Sequence, residues 1–326
     1  MSALLLTRAE IAGLMTPADY LGAVDEAFQL SKQGRTESPL PMQFHGVGGG
    51  AFHAKGATML GERKVAALKL NGNFPANPSR GLPTIQGVIL LCDAEAGSVL
   101  AIMDSIEITL RRTAAASALA AKRLAREDAS TLTVIGCGDQ ARAQAEALAQ
   151  VRAFKRGLVF DLDRAKAEAF AAEMGDGLGF AFESLSSLRE AARAGDVIVT
   201  CTTARAPFLD QEDVSPGAFI AAVGADNPGK NEIAPALMAR ATVIADVLEQ
   251  CLVMGDLHHA VKAGAMTPAD VAADLGEIVI GAKPGRTRAD EIIVFDSTGT
   301  AIQDAASAAV VYARALQAGR GVSITL

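Results

Sequence analysis

The chain has 326 residues, half of them hydrophobic and only 21% charged, so it can fill more than one buried core. Its net charge is −7 with no basic block, which argues against a nucleic-acid partner. No apolar stretch reaches the roughly 18 uncharged residues that a membrane helix needs, and the opening Met1–Leu6 meets Arg8 and Glu10 too soon for a secretory segment. The expectation is a cytoplasmic, two-domain protein without a membrane partner. Cys92, Cys137, Cys201 and Cys251 show no CxxC and no Cys/His spacing suited to zinc, so they read as reduced thiols without chemistry, and no metal is expected.

In chain order, Thr7-x-x-Glu10 is a capping box, and Thr16-Pro17-Ala18-Asp19 combines a cap, a first-turn proline and an early acid. Both predict helix starts, and the same Thr-Pro-Ala-Asp chemistry recurs at 267–270. Residues 36–53, with Pro39, Pro41, Gly46, Gly48, Gly49 and Gly50, lose helical pattern. Strand-like runs follow at 64–70, 84–92 and 98–103, with a turn over Asn71–Gly81. An alanine-rich helix spans about 105–126. Strand candidates then alternate with helical segments at 131–136, 157–161, 196–201, 218–224, 242–246 and 291–295, the order of a doubly wound parallel sheet. A small-residue helix at 300–318 ends at Gly319.

The most specific motif is Gly136-x-Gly138-x-x-Ala141, which follows the apolar run Thr131–Ile135 and opens a helix. Asp161 lies twenty residues past Ala141, at the end of Leu158-Val159-Phe160. In such a turn the first glycine permits the bend and the second lets the backbone approach a pyrophosphate. The small alanine lets the helix pack closely, with its N-terminal N–H groups aimed at the anion. Asp161 is suited to accept from an adenosine ribose and to repel a 2′-phosphate, which favours NAD(H) over its phosphorylated form. The predicted fold is therefore α/β: a doubly wound Rossmann parallel sheet over 126–296 and a second α+β domain, for substrate and dimerisation, from 1–125 and 297–326. Gly136, Gly138, Asp139, Gln140, Ala141 and Asp161 are the expected cofactor-binding residues. Thr202 and Thr203, after the strand ending at Cys201, join them, with Thr113 as a further candidate for the phosphates.

The stretches Leu68-Lys69-Leu70-Asn71-Gly72-Asn73-Phe74-Pro75 and Ile108-Thr109-Leu110-Arg111-Arg112-Thr113-Ala114-Ala115 resemble the ornithine cyclodeaminase/mu-crystallin family. So do Val223-Gly224-Ala225-Asp226-Asn227-Pro228-Gly229-Lys230-Asn231-Glu232 and Ser297-Thr298-Gly299-Thr300-Ala301-Ile302-Gln303-Asp304, with the glycine turn between them in the family's order. The resemblance implies a homodimer joined through the non-Rossmann domain. It also implies a small α-amino or α-imino acid substrate whose α-carbon exchanges hydride with the nicotinamide.

By that resemblance Lys69 and Arg112 approach the substrate carboxylate, Lys69 also approaches the imine nitrogen, and Asp226 is the acid beside the reacting nitrogen. Lys69 and Asp226 are thus the expected catalytic residues, and Arg112 a substrate-binding one. A lysine inside the apolar run Val65-Ala66-Ala67-Leu68-Lys69-Leu70 is costly unless paired or functional. Asp226 also sits before Asn-Pro-Gly, a strong turn sequence. The chain departs from many members in having no arginine after the prolines near position 40. Either Lys55 or His53, which share a face if the segment is extended, supplies the missing cation, or both are solvated loop residues. His258 and His259 lie about 100° apart on a helix and are poorly placed to share a metal.

The reaction implied first is NADH-dependent reduction of a cyclic imino acid such as Δ1-pyrroline-2-carboxylate to L-proline, because it demands a single hydride transfer. Ornithine cyclodeamination with recycled NAD, or cis-3-hydroxyproline dehydration, is the alternative within enzymes. A non-catalytic, crystallin-like dinucleotide-dependent binding protein is the alternative of another class.

Overall fold

The computed structural model describes residues 2–326. The chain divides into two compact units, one of residues up to Arg112 with Thr300–Leu326, the other Thr113–Gly299. Among the described residues, no helix is long and apolar enough to cross a membrane.

The first unit holds β1 (Ser2–Leu6), β2 (Thr36–Glu37), β3 (Met42–His45), β4 (Ala51–Leu60), β5 (Lys64–Asn73), β6 (Ile85–Asp93) and β7 (Val99–Asp104). With the C-terminal strand Val322–Thr325 they form one sheet, ordered C-terminal strand, β1, β7, β6, β5, β4, β2, with β3 also paired to β4. Only the β1–β7 pairing is parallel. The helices Pro17–Lys32 and Ala301–Ala318 pack together, and the latter also lies against β4 and β5. Ala305, Ala306 and Ala308 of that helix are buried, and such small side chains allow a close approach of helix to sheet. Period-two alternation sends Val65, Ala67 and Lys69 of β5 to this covered face and leaves Leu68 on the other.

Residues 36–53 are more ordered than proline and glycine content alone suggests. They contribute β2, β3 and the start of β4, so His53 and Lys55 are strand residues and not solvated loop residues. The glycines serve packing. Phe74 lies over the β3–β4 hairpin, where a Cβ on Gly50 would come within 2.1 Å of its ring and one on Gly46 within 2.7 Å. Phe52 stacks on Phe44 and meets Phe74 edge-on. Beyond this segment, β1, Val322–Thr325, Phe182–Ser184 and Ala273–Asp274 are strands that the sequence pattern does not predict, and Pro268–Asp270 forms only a single 3₁₀ turn behind its capping box.

The second unit is an eight-stranded, wholly parallel sheet. Its strands are β8 (Thr131–Ile135), β9 (Arg156–Phe160), β10 (Phe182–Ser184), β11 (Val197–Thr200), β12 (Phe219–Ala222), β13 (Thr242–Ala245), β14 (Ala273–Asp274) and β15 (Ile293–Asp296). The order β10-β9-β8-β11-β12-β15-β13-β14 runs outward from β8 in both directions. β8, β11, β12 and β15 are buried throughout, as strands covered on both faces must be. This is a doubly wound Rossmann-type sheet, and its switch point lies between β8 and β11, where open α/β sheets bind ligands beyond the strands' carboxyl ends.

Candidate functional site

In the first unit a buried cluster of charge forms where β4 and β5 meet the helix Ala301–Ala318. Lys69 is only 4% exposed, and its Nζ lies 2.7 Å from Asp304 Oδ2. Arg112 Nε donates to Asp304 Oδ1 at 2.8 Å, and its Nη1 donates to Gln303 Oε1 at 2.9 Å. Lys55 is buried and stands directly across from Lys69 in the β4–β5 register. It adds positive charge felt by both Lys69 and Asp304. His53 lies two residues along the same face, across from Asn71.

The structure thus gathers Lys69, Arg112 and Lys55 around one acid that the sequence reading did not single out. Lys69 and Arg112 both pair with this one carboxylate, and the positive charge of Lys55 acts on the same group. Burial, together with Arg112 and Lys55, lowers Lys69 to about 7 against the opposing pull of Asp304. A lysine at that value exchanges protons near neutral pH. Burial alone would raise Asp304, but Arg112 and Lys69 outweigh it and hold the acid below the usual carboxylate range.

In the second unit, Gly136 follows β8 with φ +92°, and a Cβ there would lie 2.8 Å from Thr202 Cγ2. Gly138 caps the helix Asp139–Ala149 without any side-chain hydrogen bond, and a Cβ on it would meet no heavy atom within 4 Å. The space a Gly138 Cβ would enter is thus open at the positive end of this helix, the setting an anionic phosphate requires. Ala141 is fully buried, which lets this helix sit close to the sheet. Arg142 braces the turn from behind, donating to the Gly138 carbonyl at 3.3 Å while gripping Glu173. Asp139 and Thr203 are exposed, Gln140 is half-buried, and Thr113 is buried in the helix Ile106–Leu124.

Asp161, at the end of β9, accepts from the Cys137 N–H at 2.8 Å through one oxygen and from the Asp163 N–H at 2.9 Å through the other. Each oxygen keeps a second lone-pair direction, so the half-buried carboxylate is fixed in place while still able to receive two hydroxyls. The turn, the uncapped helix and the fixed acid together fit an adenine dinucleotide.

Thr202 is held by Glu232, which is fully buried: the Thr202 N–H and hydroxyl each donate to Glu232 Oε1 at 2.7 Å. Asp226 lies past β12, half-exposed, with Lys230 Nζ 2.8 Å from its Oδ1. In this arrangement the acid is engaged within its own loop. His258 Nδ1 and His259 Nε2 each meet a backbone carbonyl. Burial raises the thiols of Cys137, to about 12, and of Cys201 and Cys251, so none is a nucleophile near neutral pH.

Asp304→Asn removes the carboxylate from among three cations. Lys69 has an ordinary lysine value of 10.5 when unfolded and about 7 when folded. Stability in this range rises with pH, because the unfolded chain holds the extra proton. Without Asp304 the folded value drops further, so the variant should lose about 3–5 kcal/mol. The loss should be larger at pH 6 than at pH 9, where Lys69 is neutral in both proteins. Urea denaturation at the two pH values measures it; equal losses would mean that Asp304 does not support a charged Lys69.

The ornithine cyclodeaminase/mu-crystallin family profile matches residues 1–319. The alanine dehydrogenase of Archaeoglobus fulgidus is 38% identical over 325 residues, which cover 99% of this chain and 98% of that protein. Among solved structures, an archaeal alanine dehydrogenase dimer with bound NAD superposes with a TM-score of 0.95 at 37% identity, covering both chains fully. The Thermococcus litoralis Δ1-pyrroline-2-carboxylate reductase, in complex with NADH and L-proline, gives 0.94 at 32% identity over 98% of this chain and all of that one. On the breadth of these matches, the chain belongs to the ornithine cyclodeaminase/mu-crystallin family.

Proposed function

We propose that the protein is an NAD(H)-dependent enzyme that reduces the C=N bond of a small α-imino acid, with a cyclic imine such as Δ1-pyrroline-2-carboxylate as substrate and L-proline as product. The observation that carries this reading is the buried cluster in which Lys69 and Arg112 pair with Asp304 beside the buried Lys55. Arg112, oriented by Asp304 and Gln303, and Lys55 hold the substrate carboxylate. Lys69 donates the proton that the imine nitrogen takes up. In the second unit the Gly136–Ala141 turn and Asp161 hold the dinucleotide, with Thr202 beside the turn. Bound NADH supplies the hydride. Asp226, once released from Lys230, is the acid that orients the substrate nitrogen.

A second reading has specific support: the Archaeoglobus alanine dehydrogenase matches nearly the whole chain. There the imine would come from pyruvate and ammonia. NADH absorbance with Δ1-pyrroline-2-carboxylate, against pyruvate plus ammonium and a no-substrate control, separates the two. Rapid oxidation with the cyclic imine supports the first reading, and oxidation only with pyruvate and ammonium supports the second. Oxidation with neither, with NADH demonstrably bound, rejects both and moves attention to ornithine cyclodeamination or hydroxyproline dehydration. Lys69→Ala should lower turnover by about 10²–10⁴-fold while NADH affinity is retained.

Because the proton donor is the charged form of Lys69, kcat/KM for imine reduction should fall as pH rises through about 7. A bound substrate carboxylate favours the charged lysine, so the matching fall in kcat should lie at higher pH. A flat kcat/KM profile from pH 6 to 9 would remove Lys69 as the proton donor.

The uncovered sheet face of the first unit is proposed to pair with a second copy of the chain. Leu5, Ile102, Leu90 and Leu68 form one row across β1, β7, β6 and β5, and Leu68 and Val88 are nearly half exposed. An apolar face of this kind marks an association surface, and the archaeal alanine dehydrogenase is described as a dimer. Leu68→Asp should convert a dimer to a monomer in light scattering; an unchanged mass would place the contact elsewhere.

A further inference from the structure

Glu232 plays no part in the chemistry above, yet it ties together two loops that do. It is fully buried and lies 8 residues from Gly224 and about 30 from Thr200 and Thr202 in sequence. Oε1 accepts from the Thr202 N–H and hydroxyl, both at 2.7 Å. Oε2 accepts from the Thr200 hydroxyl at 2.6 Å and from the Gly224 N–H at 2.8 Å. Four donors meet the four lone-pair directions of one carboxylate. They stand against its burial, which raises Glu232 above the ordinary range.

The surroundings are shaped for this carboxylate. A Cβ on Gly224 would lie 2.3 Å from Glu232 Oε1 and 2.6 Å from the Thr202 carbonyl oxygen, so only glycine fits there. A Cβ on Gly136 would strike Thr202 Cγ2 at 2.8 Å, so Thr202, once fixed by Glu232, lies directly against the dinucleotide turn. Gly224 stands two residues before Asp226. Glu232 is itself anchored: its N–H and that of Ile233 donate to Asp256 Oδ1 at 2.7 and 2.9 Å.

We propose that Glu232 is a positioning residue, whose buried carboxylate locks the Thr202 loop against the Gly136 turn and fixes the backbone leading to Asp226, so that the dinucleotide meets a preformed surface. The proposal rests on the dinucleotide reading of that turn and is independent of which imino acid is reduced. Glutamine is a poor replacement for Glu232, since its NH₂ group would face a backbone N–H, of Thr202 or of Gly224, wherever it is placed.

The first readout is amide hydrogen exchange in the ligand-free protein. The Thr202 and Gly224 N–H groups bond to Glu232, and neither has a backbone acceptor among the described residues. E232Q should speed their exchange by roughly tenfold or more. The second is NADH titration by nicotinamide fluorescence, where E232Q should weaken binding by roughly tenfold. T200V keeps the carboxylate and removes one buried donor away from the turn. It should weaken NADH binding by about two- to fivefold, and it decides the matter if E232Q does not fold. A folded variant that melts lower but binds NADH as tightly as the wild type would show a merely structural role and overturn the proposal. A wild-type protein that binds no NADH would instead remove the dinucleotide reading, and this proposal with it.

Discussion

Asp304 is the pivot of the first unit. Among the described residues, the ion pairs of Lys69 and of Arg112 both run to this acid. Two buried cations without it would face the full penalty of desolvation and mutual repulsion. Its position follows from the fold: the helix Ala301–Ala318 must lie close over β4 and β5 for a short aspartate to reach a lysine in the sheet. The buried alanines of that helix permit the approach. The ordinary-looking packing of a small-residue helix is thus a precondition for the chemistry proposed for Lys69.

The second unit solves a related problem by other means. Its carboxyl edge gathers Glu232, Asp256, Asp246 and Asp296, all buried. Their donors among the described residues are mostly backbone N–H groups and hydroxyls where the first unit uses cations, with Asp256 Oδ2 left without a hydrogen-bond partner. Asp256 receives two N–H groups of the segment after Asn231, and Asp296 receives those opening the helix Asp256–Lys262. Asp246 receives those of Thr298 and Gly299. Loops at the ends of parallel strands leave many N–H groups without ladder partners, and buried acids are compact acceptors for them. The first unit spends its acid on cations, and the second spends its acids on backbone.

Much of this architecture is legible in the sequence, and the limits have physical causes. The parallel sheet declares itself because each of its central strands is a short, mostly apolar run. Gly136, Gly138 and Asp161 stand out because turn geometry demands glycine and a spaced acid. Lys69 is visible because a charge in an apolar strand needs a reason. Asp304 is not, because an acid in the first turn of a helix reads as an ordinary complement to the helix dipole, and its partner Arg112 is 192 residues away. Lys55 could not be placed either: only the β4–β5 register sets it across from Lys69. Glu232 sits in a turn-rich segment, and nothing local reveals its four donors. The hairpin over 42–60 was masked by glycines whose role is to admit the Phe74 ring.

The cysteines carry a consequence for redox behaviour. Cys137 occupies the middle of the glycine turn, donating its backbone N–H to Asp161 while its thiol faces burial and a nearby carboxylate. At about 12, its thiolate fraction near neutral pH is vanishingly small. It is the thiolate that attacks a peroxide or a disulfide, so a thiol held protonated at the centre of this turn reacts slowly with either. Cys201, one loop away, is shielded in the same way by burial and Glu232. The turn and the loop beside it thus carry two sulfurs held as unreactive thiols near neutral pH.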